Sequence, residues 1–205
     1  MPKVKVCGVT NAGDALAAER AGADIIGMIF AESPRRITPR RAAAIVRALR
    51  SSTLKAGVFA DEPAARVNAL VKKLKLDIVQ LHGSETPAYI RRIKGARVIK
   101  AIRVRNAAQV RREARKYAGI VYALLFDTYR AGKKGGTGKT FGLKHIKGIN
   151  RPYFIAGGIG PGNACRVIKA SKPFGIDVNS GVESKPGRKD AALLKSFFRA
   201  VSKAG

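Results

Sequence analysis

Two side chains able to move protons stand at the ends of aliphatic runs. Cys7 lies in KVKVCGV (3–9), and Asp127 follows VYALLF (121–126). A thiolate can take a proton from carbon, and a protonated carboxylic acid can deliver one to a leaving oxygen. The thiol ionises more readily only where cations outweigh nearby anions. The aspartate keeps its proton only where burial or a neighbouring charge favours the neutral form. Alone, a cysteine at a strand end reads as buried filler and an aspartate as a helix cap. Cys165, inside a helical pattern, illustrates the inert case. Arg35 carries a fork that fits a carboxylate, and Arg36 beside it offers the same chemistry. His82 fits either a hydrogen-bonding role or a structural one. Gly157-Gly158 and Ser180-Gly181 bring backbone N–H groups that can face an anion.

Other chemistries fit less well. The stretch RAGKKGGTGKTFG (130–142) imitates a nucleotide-binding loop, but the first glycine of that motif falls on Lys133, with Gly132 one place off. Its Gly and Lys content suits a flap over an anionic ligand instead. Two distant cysteines and two histidines, His82 and His145, supply neither a disulfide framework nor a zinc-ligand spacing. No metal and no cofactor is expected. The N-terminus lacks a secretory pattern, and no apolar run reaches the roughly 20 residues that span a bilayer. These features point to a reducing cytoplasm. Lys plus Arg number 41 against 13 Asp plus Glu, a formal charge of +28. That balance favours anionic partners. The basic residues are scattered over nearly every helix, without a basic tail or interleaved aromatics, so no specific nucleic-acid partner is expected.

The elements that must hold these groups follow one repeated plan. Short aliphatic runs recur at 3–9, 24–30, 54–59, 76–81, 96–102, 121–126, 151–156 and 175–180. Their length and composition suit strands buried on both faces. Helical patterns fall between them. Pro39 opens one behind Thr38, with Ala42, Ile45, Val46 and Leu49 at helical spacing. Pro63 opens another, with Val67, Leu70, Val71 and Leu74 inward. Segments 87–93, 106–118, 141–149 and 162–170 are predicted helices. Residues 190–201 close the chain, with Leu193, Leu194, Phe197 and Phe198 toward the core. Strand then helix, eight times, is the α/β plan of a (β/α)8 TIM barrel. At 205 residues, below the typical ~250, it should be compact and form a single domain over 1–205. Such barrels place their chemistry at the carboxyl ends of the strands, and their phosphate sites at the loops after strands 7 and 8.

In that order the chain resembles the phosphoribosylanthranilate isomerase family of tryptophan biosynthesis. The matching segments are KVKVCGVTNAGDA (3–15), GADIIGMIFAESPRRITP (22–39), GVF (57–59), VQLHG (79–83), LLFDT (124–128), GGTGKTF (135–141), AGGIGPGN (156–163) and DVNSGVESKPGRKD (177–190). The resemblance implies a cofactor-free Amadori rearrangement of an anionic phosphoribosyl aromatic substrate. It implies Cys7 as general base, Asp127 as general acid and Arg35 as the group at the anthranilate carboxylate. The glycine loops at 157–158 and 180–181 become the phosphate cradle. The chain departs from the family pattern at Arg36, where Tyr is frequent, and at Asn179, where Ser is usual. The run after Phe30 is also one residue shorter. Monomer and homodimer both stay open. A histidine-pathway isomerase would need an aspartate where Cys7 stands, and a pentose phosphate epimerase would need metal-binding histidines. A polyanion-binding protein would tolerate changes at Cys7 and Asp127.

Overall fold

A computed structural model describes residues 1–128 and 142–204. Eight parallel strands close on themselves in sequence order: β1 (Lys3–Val6), β2 (Ile25–Ile29), β3 (Leu54–Phe59), β4 (Ile78–Leu81), β5 (Arg97–Val104), β6 (Ala123–Thr128), β7 (Tyr153–Ile155) and β8 (Gly175–Val178). Closure comes from β1 against β8, where Lys5 pairs with Asp177 and Val6 with Val178. The chain is therefore the single α/β barrel that the eight repeats predict.

Alternation along each strand divides the core in two. Ile25, Ala56, Ile78, Ile99, Ala123, Leu125 and Phe154 point inward and fill the barrel. Their neighbours Val4, Val6, Ile26, Met28, Val79 and Phe126 point outward, under the helices. The strands are thus apolar on both faces, which is why they read as continuous aliphatic runs.

The helices start where their caps sit. In α1 (Ala12–Ala21) the Asn11 side chain accepts from the Asp14 N–H at 2.8 Å, and Gly22 ends the helix in the left-handed region. Thr38 caps α2 (Pro39–Ala48), with Pro39 in its first turn. Helix α3 (Ala64–Leu74) buries Val67, Leu70, Val71 and Leu74 as its spacing requires. Helices α5 (Ala107–Lys116) and α6 (Ala164–Ser171) follow β5 and β7. Asp190 caps α7 (Ala191–Ser202).

Three expectations need correction. Segment 87–93 yields only one helical turn, α4 (Pro87–Ile90). Segment 141–149 yields a single 3-10 turn, Leu143–Ile146. Leu193 is exposed, while Leu194, Phe197 and Val201 bury the inner stripe of α7. One residue's rotation about the helix axis carries Leu193 off that stripe. The loop read as a flap, 135–138 within 130–142, lies outside the described residues.

Candidate active site

The inward alternation of β1 places Lys5 and Cys7 on one face, one above the other. Cys7 is buried and packs with Ile29 and Val58. Beneath it the fully buried Lys5 ammonium donates to Asp177 Oδ2 at 2.9 Å. Gly27 of β2 leaves the room for both: a first side-chain carbon there would lie 2.9 Å from Cys7 Sγ and 3.1 Å from Lys5 Nζ. Burial pushes the Cys7 thiol up, and the Lys5 charge opposes that push without cancelling it. Burial also works against the charge on Lys5, but Asp177 and Cys7 outweigh it and hold the ammonium above the ordinary lysine range.

Asp127 stands near the carboxyl end of β6, half-buried. Its Oδ1 accepts the Thr128 N–H at 2.8 Å, and its Oδ2 lies 3.3 Å from His82 Nε2. The Gln80 amide nitrogen lies 3.2 Å from His82 Nδ1. The Gln80 amide thus faces Nδ1 of the ring while Nε2 faces Asp127. His82 thereby lies beside Asp127 at the mouth. Gln80, a polar residue inside a buried strand two positions before His82, is the third member of this row.

Arg35 and Arg36 diverge. The Arg36 backbone bridges to Ile29 and its side chain is exposed. Arg35 turns inward, and Glu183 takes its guanidinium edge: Nε donates to both carboxylate oxygens at 2.9 and 3.0 Å, and Nη2 to Oε2 at 2.6 Å. Glu183 begins β9 (Glu183–Lys185), which pairs antiparallel with β10 (Arg188–Lys189). Lys189 returns to the same carboxylate at 2.9 Å and also donates to Asn179 Oδ1 at 3.1 Å. Burial opposes the charge on Glu183, but Arg35 and Lys189 together hold its carboxyl below the ordinary glutamate range. Neither Glu183 nor Lys189 was anticipated.

Gly157 and Gly158 both take positive φ, 79° and 67°, directly after β7. A side chain on Gly157 would run into Asp127 Oδ1 and Thr128. A short loop separates the pair from α6, which starts at Ala164. Asn163 braces the intervening loop, donating to the Gly158 carbonyl at 2.7 Å and accepting the Gly160 N–H at 3.0 Å. Ser180 and Gly181 form a 3-10 turn after β8 (Ser180–Val182), with Gly181 packed on the backbone of 159–160. The loops after strands 7 and 8 therefore touch. Cys165 lies in α6 and His145 in the 3-10 turn, apart from the strand ends that carry Cys7 and Asp127. Among the described residues no cluster of His, Cys, Asp and Glu could hold a metal.

A profile of N-(5'-phosphoribosyl)anthranilate isomerases matches residues 4–200. The chain belongs to that isomerase family. The isomerase of Desulforamulus reducens is 43% identical over 203 residues, covering 98% of this chain and 95% of that one. The crystal structure of the family member from Thermotoga maritima superposes with a TM-score of 0.91 at 34% identity, over 98% and 99% of the two chains. A further solved isomerase, in complex with reduced 1-(o-carboxyphenylamino)-1-deoxyribulose 5-phosphate, gives 0.87 at 32% identity over 98% and 99%. No helix among the described residues is long and apolar enough to cross a membrane.

Proposed function

We propose that this chain converts N-(5-phosphoribosyl)anthranilate to 1-(2-carboxyphenylamino)-1-deoxyribulose 5-phosphate, with Asp127 as acid and Cys7 as base. The observation that carries the reading is a family match over residues 4–200 with a thiol and a carboxyl kept at strand ends of one mouth. Asp127 protonates the furanose ring oxygen. The C1–O bond breaks as the aryl nitrogen pushes its electron pair toward C1, giving a Schiff base. The Cys7 thiolate then removes the C2 proton, and the electrons left behind form the enolamine. Tautomerisation places a proton on C1 and yields the ketose. The nitrogen donates its pair as the ring opens and takes electrons back as the sink when C2 loses its proton.

The remaining groups hold the substrate. The Gly157-Gly158 and Ser180-Gly181 turns offer backbone N–H groups to the phosphate. Glu183 grips the Nε–Nη2 edge of Arg35, so the anthranilate carboxylate meets the guanidinium from its Nη1 side. His82 donates to Asp127 Oδ2 and keeps that carboxyl aimed into the mouth. A cytoplasmic setting, without a membrane or nucleic-acid partner, fits this chemistry. The test is product identity. Folded protein given enzymatically generated phosphoribosylanthranilate should accumulate the ketose phosphate. A sugar epimerised without the aldose-to-ketose change would exclude this reaction.

A further inference from the structure

The mechanism above needs a thiolate at a position where burial favours the thiol. The groups around Cys7 show what offsets that burial. Lys5 Nζ and Cys7 Sγ converge on the space left by Gly27, and Lys5 is fully buried with its ammonium bonded to Asp177 Oδ2. The other carboxylate oxygen, Asp177 Oδ1, is buried without a hydrogen-bond partner among the described residues. The charged groups that act on Cys7 are Lys5 of its own strand, Asp177 of β8 and Lys189 of β10. Asp127 and His82 act in turn on Asp177, and Glu183 and Arg35 on Lys189. Lys189 is already divided between Glu183 and Asn179. Lys5 is the cation directly beneath the sulfur.

We propose that Lys5 is a positioning residue for proton abstraction: its ammonium is the cation against which the Cys7 thiolate forms, and Asp177 competes with that thiolate for the same cation. This rests on the reading of Cys7 as the base. It adds an anion, Asp177, whose charge restrains the thiolate while its hydrogen bond fixes the ammonium in place. In a low-dielectric interior each charge needs a counter-charge, so an ammonium that loses Asp177 has the Cys7 thiolate as its remaining anion. The thiolate gains most when the ammonium turns from Asp177 toward sulfur.

The consequence is a pair of opposite effects. Replacing Asp177 removes the competitor and should make Cys7 more acidic. Replacing Lys5 removes the cation and should make it less acidic. A merely structural pair would impair the site in the same direction from either side. The measurement is thiolate ultraviolet absorbance against pH in the full chain, with Cys7→Ser as the blank and the pH profile of kcat beside it. Asp177→Asn should raise the thiolate fraction at neutral pH about tenfold or more, and Lys5→Met should lower it by a similar factor. Movement in one direction for both variants, or no movement in either, overturns the proposal. If Lys5→Met fails to fold, the near-isosteric Asp177→Asn decides alone: a fall in thiolate, or no change, overturns it. Full turnover by Cys7→Ser would remove the base assignment separately, while the absorbance titration would still report on the contact between Lys5 and Cys7.

Discussion

Glu183 holds Arg35 by a two-point grip, with Nε and Nη2 both donating to its carboxylate. The grip spans 148 residues of sequence and fixes the plane of the guanidinium before any substrate arrives. Glu183→Gln should therefore leave the carboxylate pocket present but misaimed. KM for phosphoribosylanthranilate should rise about tenfold to a hundredfold, the scale of a charge-assisted hydrogen bond lost at a partly buried site. Arg35→Ala should weaken the full substrate by a similar factor and leave an analogue lacking the carboxylate unaffected. Competition binding with both ligands checks this, and equal losses for the two would place Arg35 elsewhere in the mechanism.

Gly157 lies against the acid. Its φ of 79° is a region side chains resist, and any first carbon there would collide with Asp127 Oδ1 and Thr128. Gly157→Ala should displace Asp127 and lower kcat about a hundredfold, as small misplacements of reacting groups do. The folded structure should persist, so a circular dichroism spectrum alongside the kinetics separates the two effects. Unchanged kcat in the folded variant would show that Asp127 needs no such fixed position.

The acid limb of stability should centre on Glu85. Burial works hardest against its charge, but Lys100 at 2.8 Å and the Asp61 N–H at 2.9 Å outweigh it and hold the carboxyl below the ordinary glutamate range. The folded chain thus binds this proton more weakly than the unfolded chain does. The contribution is fully present above the unfolded glutamate value and is lost as pH falls through the folded one. Thermal melts across that range should show Tm falling, with Glu183 adding to the same limb. Glu85→Gln should cost about 3–5 kcal/mol at neutral pH, because it leaves the buried Lys100 ammonium without its carboxylate. Its acid limb should also be shallower than that of the parent chain.

Charge should also be visible in the kinetics. The substrate carries a phosphate and a carboxylate, and the chain carries a formal +28. Long-range attraction of this kind is screened by salt. If encounter limits kcat/KM, the ratio should fall several-fold between low and high ionic strength, while kcat stays level. Stopped-flow progress curves at two salt concentrations check this.

The barrel was legible because apolar runs and helical spacing repeat with one period, and Asn11, Thr38 and Asp190 sit where caps are required. The failures lie where that signal is thin. Helix α4 stops after one turn, and Gly95 soon follows with positive φ; the 3-10 turn at 143–146 is hemmed by Gly142 and Gly148. Cys7 and Asp127 were legible from their place at strand ends. Lys5 is one of 41 basic residues, and only its two-residue spacing from Cys7, which puts both on one face, distinguishes it. Glu183 was hidden differently, since its partner Arg35 belongs to the loop after β2 and no local pattern joins them. In a chain with 13 acidic residues against 41 basic ones, the acids are the more informative positions. Glu85, Asp177 and Glu183 each hold a buried or half-buried cation.

The proposed roles of Asp127 and Cys7 as the acid and base of the isomerisation stand or fall together. Their most direct test follows the loss of anthranilate-type fluorescence from enzymatically generated phosphoribosylanthranilate, with the parent chain, Cys7→Ala and Asp127→Ala measured side by side. Rapid loss is expected with the parent chain, and a fall of about a hundredfold or more in kcat for each variant, both still folded. Near-parental turnover by either variant, or an intact phosphosugar after incubation with folded parent protein, would contradict those roles.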